Sequence, residues 1–376
     1  MWFKNALIFD SIEGYRPGAF EVLSDRFVNV FCEPRDEEAV DLQGMKVIPG
    51  LIDIHTHGAM GADFSDGDEE GLIRIAEYMA TRGITGFLPT SMSLPYERLS
   101  SAFDTAFSLR RKEREGLARI YGIHMEGPFF SMKKKGAQNA EYLKEPDIDA
   151  FMKLYSSCGR LIRIADVAPE LEGALAFAGI VKDVCAVSVA HTDATYEEAA
   201  AVYDAGASHL THLFNAMPGI HHRAPGVIAA ASERSYVTAE LICDGLHVHP
   251  AAIRLAYKLF DGRICLISDS LRCLGMPDGE YELSGQKVIL KGKEARLEDG
   301  TIAGSSTDLY DCMLNAISYG IPEDDAIISA TIMPAFAAGI ADIAGSIEDG
   351  KYADFVVCDN DLNRKAVYIG GNKITP

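Results

Sequence analysis

The fold reading turns on Lys46-Val47-Ile48-Pro49-Gly50-Leu51-Ile52-Asp53-Ile54-His55-Thr56-His57-Gly58. An apolar run of strand character, Leu51 to Ile54, ends in two histidines one residue apart. Residues i and i+2 share one face of a strand, so His55 and His57 can point to one centre. The next segment has a helical period instead: Leu72, Ile75, Ala76, Met79 and Ala80 fall on one face, and Gly83 follows as a C-terminal cap. From Lys46 onward such apolar runs and helices alternate, which predicts a parallel sheet with crossover helices. Strands are expected to end near Ile54, Thr90, Met125, Val167, Ala190, Leu213, Cys243 and Ser268, and another helix should run from a Thr195/Glu198 capping box to Gly206. Eight such ends are what an α/β fold of the (β/α)8 TIM barrel type requires.

The rest of the chain attaches to that barrel. Residues 1–45 carry short extended patterns (Ala6-Leu7-Ile8-Phe9, Phe27-Val28-Asn29-Val30-Phe31), and β texture returns after Gly345 in Asp354-Phe355-Val356-Val357 and Val367-Tyr368-Ile369. The expected division is a small β-sandwich domain built from both chain ends, 1–48 and 345–376, around a barrel at 49–344, with a hairpin insertion over 275–302. A length of 376 residues suits a barrel of about 250 plus one small domain. With 48% hydrophobic and 24% charged residues, the chain has the composition of a globular protein with a large core. Its 35 basic against 55 acidic residues give a net charge of −20, which repels nucleic-acid phosphates and anionic lipid. No basic face offsets this, and Lys133-Lys134-Lys135 reads as a solvated loop, so neither nucleic acid nor membrane is an expected partner. The eight cysteines lack any CxxC or small-domain framework and read as reduced thiols. No apolar run approaches the roughly 18 residues of a membrane span, and Met1-Trp2-Phe3-Lys4-Asn5 lacks the order of a signal peptide. The expected compartment is the cytoplasm.

Histidine placement points to chemistry. Of the ten histidines, five lie at or beside expected strand ends: His55, His57, His124, His191 and His212. Barrel enzymes assemble their sites at that rim. Asp269 ends the eighth strand and can face the same centre, and Glu126 follows the third. A ring of imidazoles and carboxylates is a divalent-metal site, with ligands that suit Zn²⁺ and an open position for a water whose pKa falls to about 7. One such histidine alone reads better as a hydrogen-bonded rim residue; five groups on four strands do not.

The sequence also carries His55-Thr56-His57-Gly58, His124-Met125-Glu126-Gly127-Pro128-Phe129, Ala168-Pro169-Glu170, Thr211-His212-Leu213-Phe214-Asn215-Ala216-Met217, Asp244-Gly245-Leu246-His247, Ile267-Ser268-Asp269-Ser270 and Pro277-Asp278-Gly279. In that order, over nearly the whole chain, they resemble the N-acetylglucosamine-6-phosphate deacetylases of the amidohydrolase superfamily. The resemblance implies that Glu126, His191 and His212 bind the main catalytic metal and that Asp269 is the general acid/base. That carboxylate would take a proton from the attacking water and deliver it to the departing amine. The resemblance further implies substrate contacts at Ala137, Asn215, Ala216, Arg223, Asp244, Gly245, Leu246, His247, Ile302, Ala303 and Gly304. Among these, Asn215 and Ala216 can offer backbone N–H groups to a phosphate and Arg223 a bidentate fork. Family members resemble homodimers whose partner chain completes the phosphate site, with Arg223 and His247 as contributors. The implied ligand is a small phosphorylated amino sugar.

Two departures mark this chain. Gln138, in Gly136-Ala137-Gln138-Asn139, stands where the family commonly has a histidine that polarises the substrate carbonyl; an amide still donates a hydrogen bond but carries no charge. Ser268-Asp269-Ser270-Leu271-Arg272 replaces the family's usual Thr-Asp-Ala-Met, which leaves the choice between N-acetylglucosamine-6-phosphate and N-acetylgalactosamine-6-phosphate open. His55 and His57 either hold a second ion with Glu126 as the bridge or brace the first site by hydrogen bonds. Other amidohydrolase chemistry, cyclic-amide hydrolysis or base deamination, is disfavoured because the expected fourth strand, Leu161–Val167, has no lysine to bridge two metals. A non-catalytic scaffold has no reason to keep such a charged cluster.

Overall fold

The computed structural model describes residues 1–34, 38–112 and 114–375. Eight parallel strands form the barrel: Leu51–Thr56, Ile84–Ser91, Ile123–Met125, Ile162–Val167, Ala186–Val189, His209–Leu210, Thr238–Ile242 and Ile264–Ile267. The first two are buried along their whole length, because helices cover one face and barrel-interior side chains the other. Closure comes where the segment after the eighth strand returns to the first: Asp269 N–H donates to His55 O at 3.0 Å, and Thr56 and Ser270 form a parallel bridge.

The helices follow their sequence signals. Glu69–Thr81 starts on Asp68, whose carboxylate accepts from the Glu70 and Gly71 N–H groups, and it buries Leu72, Ile75, Ala76, Met79 and Ala80. Gly83, at φ 84°, terminates it. Tyr196–Ala205 starts on the Thr195/Glu198 capping box and stops at Gly206.

Two expectations need correction. The sixth strand ends at Leu210, three residues before Leu213, because the chain turns outward with positive φ at His212, Phe214 and Ala216. The insertion is a four-stranded antiparallel meander, Gly279–Leu283, Gln286–Lys291, Glu294–Leu297 and Ile302–Ser305, and not one hairpin over 275–302. It extends further because its last strand is bound to the barrel: Ser305 N–H donates to Asp269 O at 2.8 Å and Leu271 N–H to Ser305 O at 2.9 Å. This carries Ile302, Ala303 and Gly304 to the rim.

Strands from both chain ends form one eight-stranded sheet, in which Phe355–Cys358 pairs antiparallel with Lys46–Pro49, and Lys46–Pro49 pairs parallel with Trp2–Asp10. The sheet curls until Arg26 bridges Tyr352, enclosing Phe3, Phe20, Phe27, Phe355 and Tyr368 in edge-on and stacked contacts. Asp354 joins this sheet to the barrel. Its carboxylate accepts from Arg119 Nε at 2.9 Å, Tyr121 OH at 3.3 Å and Gly370 N–H at 2.7 Å, while its carbonyl accepts from Gly50 N–H at 2.9 Å. Arg119→Ala would leave Asp354 buried without its cation and remove the guanidinium stacked 3.9 Å from the Tyr352 ring. A loss of about 2–3 kcal/mol is expected, below the range for a fully buried pair because Arg119 is partly exposed. Urea unfolding reads this as a lower midpoint; an unchanged midpoint would mean that the joint is held by packing alone.

Candidate active site

Glu126 directly follows the third strand, His191 and His212 each lie two residues past the fifth and the sixth, and His55 lies in the first strand with His57 just beyond it. Their side chains converge at the barrel mouth. His191 Nε2, His212 Nε2 and Glu126 Oε1 lie 3.1 Å from one another in all three pairings. That is close to the roughly 3.3 Å between ligands of a tetrahedral cation with bonds of about 2.0 Å. His57 Nε2 lies 3.4 Å from Glu126 Oε2 and 3.3 Å from Asp269 Oδ1, and His55 Nε2 lies 3.7 Å from Glu126 Oε1 and 3.6 Å from Asp269 Oδ1. Among the described residues, three overlapping sets could hold a metal ion: Glu126-His191-His212 and His55-His57-Glu126 at the mouth, and His55-His124-Glu240 beneath it.

The hydrogen bonds behind the rings decide which nitrogen faces inward. His57 Nδ1 meets Thr90 O at 3.1 Å, His191 Nδ1 meets Lys134 O at 2.9 Å, and His55 Nδ1 meets Glu240 Oε2 at 2.9 Å. Each partner only accepts, so each Nδ1 carries a hydrogen and leaves the Nε2 lone pair of the neutral ring directed at Glu126. His55 Nε2 is buried with no hydrogen-bond partner, a costly state that a cation would relieve. His191 is further fixed by stacking on Phe130 at 4.4 Å.

Electrostatics agree with a cation site. Burial pushes the Glu126 carboxyl up, but the His191 and His212 hydrogen bonds and the nearby His55 and His57 hold it well below the usual carboxylate range. Burial likewise raises Asp269, and His57 and His55 bring it below its ordinary value. Burial lowers His57 and His212, yet hydrogen bonds to Asp269 and Glu126 respectively take each up to about 9. A proton and a metal ion compete for the same Nε2, so metal uptake releases protons.

A buried support lies beneath the mouth, and the strand-end reading did not find most of it. Glu240, in the seventh strand, binds His55, accepts from His212 N–H at 3.1 Å and meets His209 Nε2 at 3.1 Å. Asp166 holds His124 Nε2 at 3.0 Å. His124 thus belongs to this support and not to the inner ring. The available signal was an acidic residue inside an otherwise apolar strand, as in Thr238-Ala239-Glu240-Leu241-Ile242, because a buried charge demands partners.

Above the ring opens a cleft of about 260 Å³ lined by His57, Glu126, Ala137, Gln138, His191, His212, Asn215, Ala216, His247, Asp269, Ile302, Ala303 and Gly304, with Met92, Gly136 and Thr301. Asp244 is buried and shapes the loop after the seventh strand, accepting from Leu246 N–H, His247 N–H and His247 Nδ1. Gly245 turns that loop at φ 86°, and Leu246 is exposed. Arg223 is also exposed; its guanidinium meets His222 Nε2 at 2.7 Å and does not line the cleft.

The sequence profile of the amidohydrolase family matches residues 46–374, which spans barrel, insertion and the returning β strands. This chain belongs to the amidohydrolase family. Within it, the chain is 37% identical to the N-acetylglucosamine-6-phosphate deacetylase of Bacillus subtilis (strain 168), over 98% of this chain and 94% of that protein. It is 33% identical to the N-acetylgalactosamine-6-phosphate deacetylase of Escherichia coli O157:H7, over 90% of each. The crystal structure of N-acetyl-D-glucosamine-6-phosphate deacetylase from Mycobacterium smegmatis superposes with a TM-score of 0.93 at 33% identity, covering 100% of both chains. The family is metal-dependent, and Glu126 is the one residue common to both ligand sets at the barrel mouth. Glu126→Gln replaces its anion with a weak neutral ligand. Elemental analysis should find metal in the parent protein and less than a tenth of that content in the variant; full occupancy would remove Glu126 from the ligand set.

Proposed function

We propose that this amidohydrolase hydrolyses the acetamide of N-acetylglucosamine-6-phosphate to glucosamine-6-phosphate and acetate. The observation that carries the reading is the 3.1 Å triangle of Glu126, His191 and His212 facing Asp269 across the cleft, in a chain that aligns end to end with deacetylases. Glu126, His191 and His212 are assigned to the metal, and zinc is the ion that best suits two imidazoles and a carboxylate with one position open. Such a cation, when bound, acts as a Lewis acid that makes water acidic near neutral pH. His55 and His57 with Asp269 and Glu126 offer a place for a second ion, a reading supported by the orphaned His55 Nε2.

Asp269 is assigned the proton transfers. Its depressed pKa makes it an anion at neutral pH, ready to take the proton of the attacking water and pass it to the nitrogen as the C–N bond breaks. Without that proton the amine is a poor leaving group. Ala137, Asn215, Ala216, His247, Ile302, Ala303 and Gly304 enclose the sugar in this reading, with Gln138 beside the reacting carbonyl. The Asn215 and Ala216 N–H groups are assigned to the phosphate. Asp244, Gly245 and Leu246 form the loop that presents His247. Arg223 lines no part of its own chain's cleft, so as a phosphate ligand it would serve the cleft of a second copy, and a homodimer is the assembly this implies. Residues 1–48 and 345–376 are assigned to the small β domain and 49–344 to the barrel. No helix of the described residues is long and apolar enough to cross a membrane; the cytoplasm is the compartment proposed, from cysteines without a disulfide framework.

The test is acetate release from N-acetylglucosamine-6-phosphate, N-acetylgalactosamine-6-phosphate and the two unphosphorylated sugars. The first should be turned over best; preference for the second would favour the activity named for the Escherichia coli relative, and turnover of none would end the deacetylase reading. Asp269→Asn should lower kcat by at least about 1,000-fold while the ion assigned to Glu126, His191 and His212 stays, since the amide matches the shape but cannot accept and pass on the proton. Retained turnover would move the acid/base role elsewhere. Arg223→Ala should raise KM for the phosphorylated sugar by about 10- to 100-fold, the loss of one charge-assisted hydrogen bond pair, and scarcely alter the unphosphorylated one. Equal losses on both would make Arg223 structural.

A further inference from the structure

We propose that Gln138 is a positioning residue that aims Glu126 at the metal, and that it is not the hydrogen-bond donor to the substrate carbonyl. This rests on the metal-centre reading above and goes beyond it in giving Gln138 a role opposite to the one its sequence position suggests.

The amide has three hydrogen-bonding capacities that matter, one oxygen and two N–H bonds. Oε1 accepts from the Ser93 backbone N–H at 2.8 Å. A backbone N–H can only donate, so this contact fixes which end of the amide is oxygen and turns the NH₂ end toward Glu126. Nε2 donates to Glu126 Oε2 at 2.7 Å, the length of a charge-assisted bond. The remaining N–H direction is taken by Met92 Sδ at 3.9 Å. Gln138 is 2% exposed, so both ends of its amide are committed inside the protein. An oxyanion donor must be aimed at the developing charge before the reaction begins, and this one is aimed at a carboxylate.

The clamp is rigid on both sides. A Cβ on Gly127 would lie 2.2 Å from Ser93 Oγ, so the loop after the second strand and the backbone after Glu126 are packed as closely as glycine permits. Ser93 N–H thus holds Gln138, and Gln138 holds Glu126 Oε2. Glu126 Oε1 is left to face His191 Nε2 and His212 Nε2. A neutral donor suits this task better than an imidazole. A histidinium at 138 would place a second positive charge beside the cation, whereas an amide orients the carboxylate without opposing the metal.

The experiment is a zinc titration of metal-stripped protein against a chromophoric chelator, with the parent, Gln138→Leu and Gln138→Asn. Leucine removes the donor at similar volume, and asparagine keeps an amide but withdraws it by one methylene. Both should weaken zinc binding by about 10- to 100-fold, as losses of a group that orients a ligand do. Activity lost at limiting zinc should be recovered in large part when zinc is raised. Zinc affinity within twofold of the parent in either folded variant overturns the proposal, and a kcat deficit that persists at saturating zinc would then assign the amide to the substrate. The readout is independent of substrate: a parent protein that binds zinc but hydrolyses none of the sugars ends the deacetylase reading and leaves the comparison of affinities to decide Gln138.

Discussion

A negative charge buried at the barrel mouth must be answered there, and the carboxylate of Glu126 sets that demand. It is 3% exposed, and four imidazole nitrogens and one amide surround its two oxygens within 3.7 Å. Removing such a group from water costs several kcal/mol unless each lone pair finds a partner. The imidazoles answer this only in part: the inward protons of His57 and His212, whose pKa values are raised to about 9, are the ones a metal displaces, and the Nδ1 hydrogens of His55, His57 and His191 are already spent on Glu240, Thr90 and Lys134, so a deprotonated inward nitrogen offers only a lone pair. Lone pairs converging on a carboxylate are repulsive until a cation sits among them. The affinity of this mouth for metal is thus a consequence of how its histidines are held from behind.

Holding them is expensive in backbone terms. His191, His212 and Asp269 all have positive φ, at 43°, 28° and 49°, as do Phe214 and Ala216 beside them. Each such residue without a glycine's freedom costs about 1–3 kcal/mol. Contacts from elsewhere over-determine the strain: Ser131 N–H donates to His191 O, Glu240 accepts from His212 N–H, and Asp269 is locked between His55 O and Ser305 N–H. The last of these makes the meander part of the catalytic frame. The Asp269 N–H bond to His55 O closes the barrel, and the Ser305 N–H bond to Asp269 O on the same residue brings Ile302, Ala303 and Gly304 over the cleft.

The layered support also explains why the sequence reading was uneven. Strand ends and HxH spacing made Glu126, His191, His212, His55, His57 and Asp269 legible, because a two-residue period and a barrel's common rim convert position directly into direction. Gly83 and the Thr195/Glu198 box were legible for a similar reason, since helix ends are local. Glu240, Asp166 and His209 were not found: their partners lie 28 to 185 residues away in the chain, and period alone gives no partner. His124 was counted with the strand-end histidines by position, yet Asp166 and the Ile54 carbonyl hold it below the mouth.

What the sequence determined by itself was the alternation that makes eight parallel strands, the carboxylate and imidazoles near their ends, and the net charge of −20. These follow from residue type and short-range spacing. The tertiary structure decided the rest: which nitrogen of each histidine faces the centre, that the sixth strand stops at Leu210, that the insertion reaches Ser305, and that Arg223 lies outside its own cleft. It also decided the partners of Gln138, Ser93 N–H and Glu126 Oε2, where sequence position alone suggested a donor to the substrate carbonyl. An amide's role is fixed by what meets its two ends, and Ser93 and Glu126 come to it from different loops only once the barrel has closed.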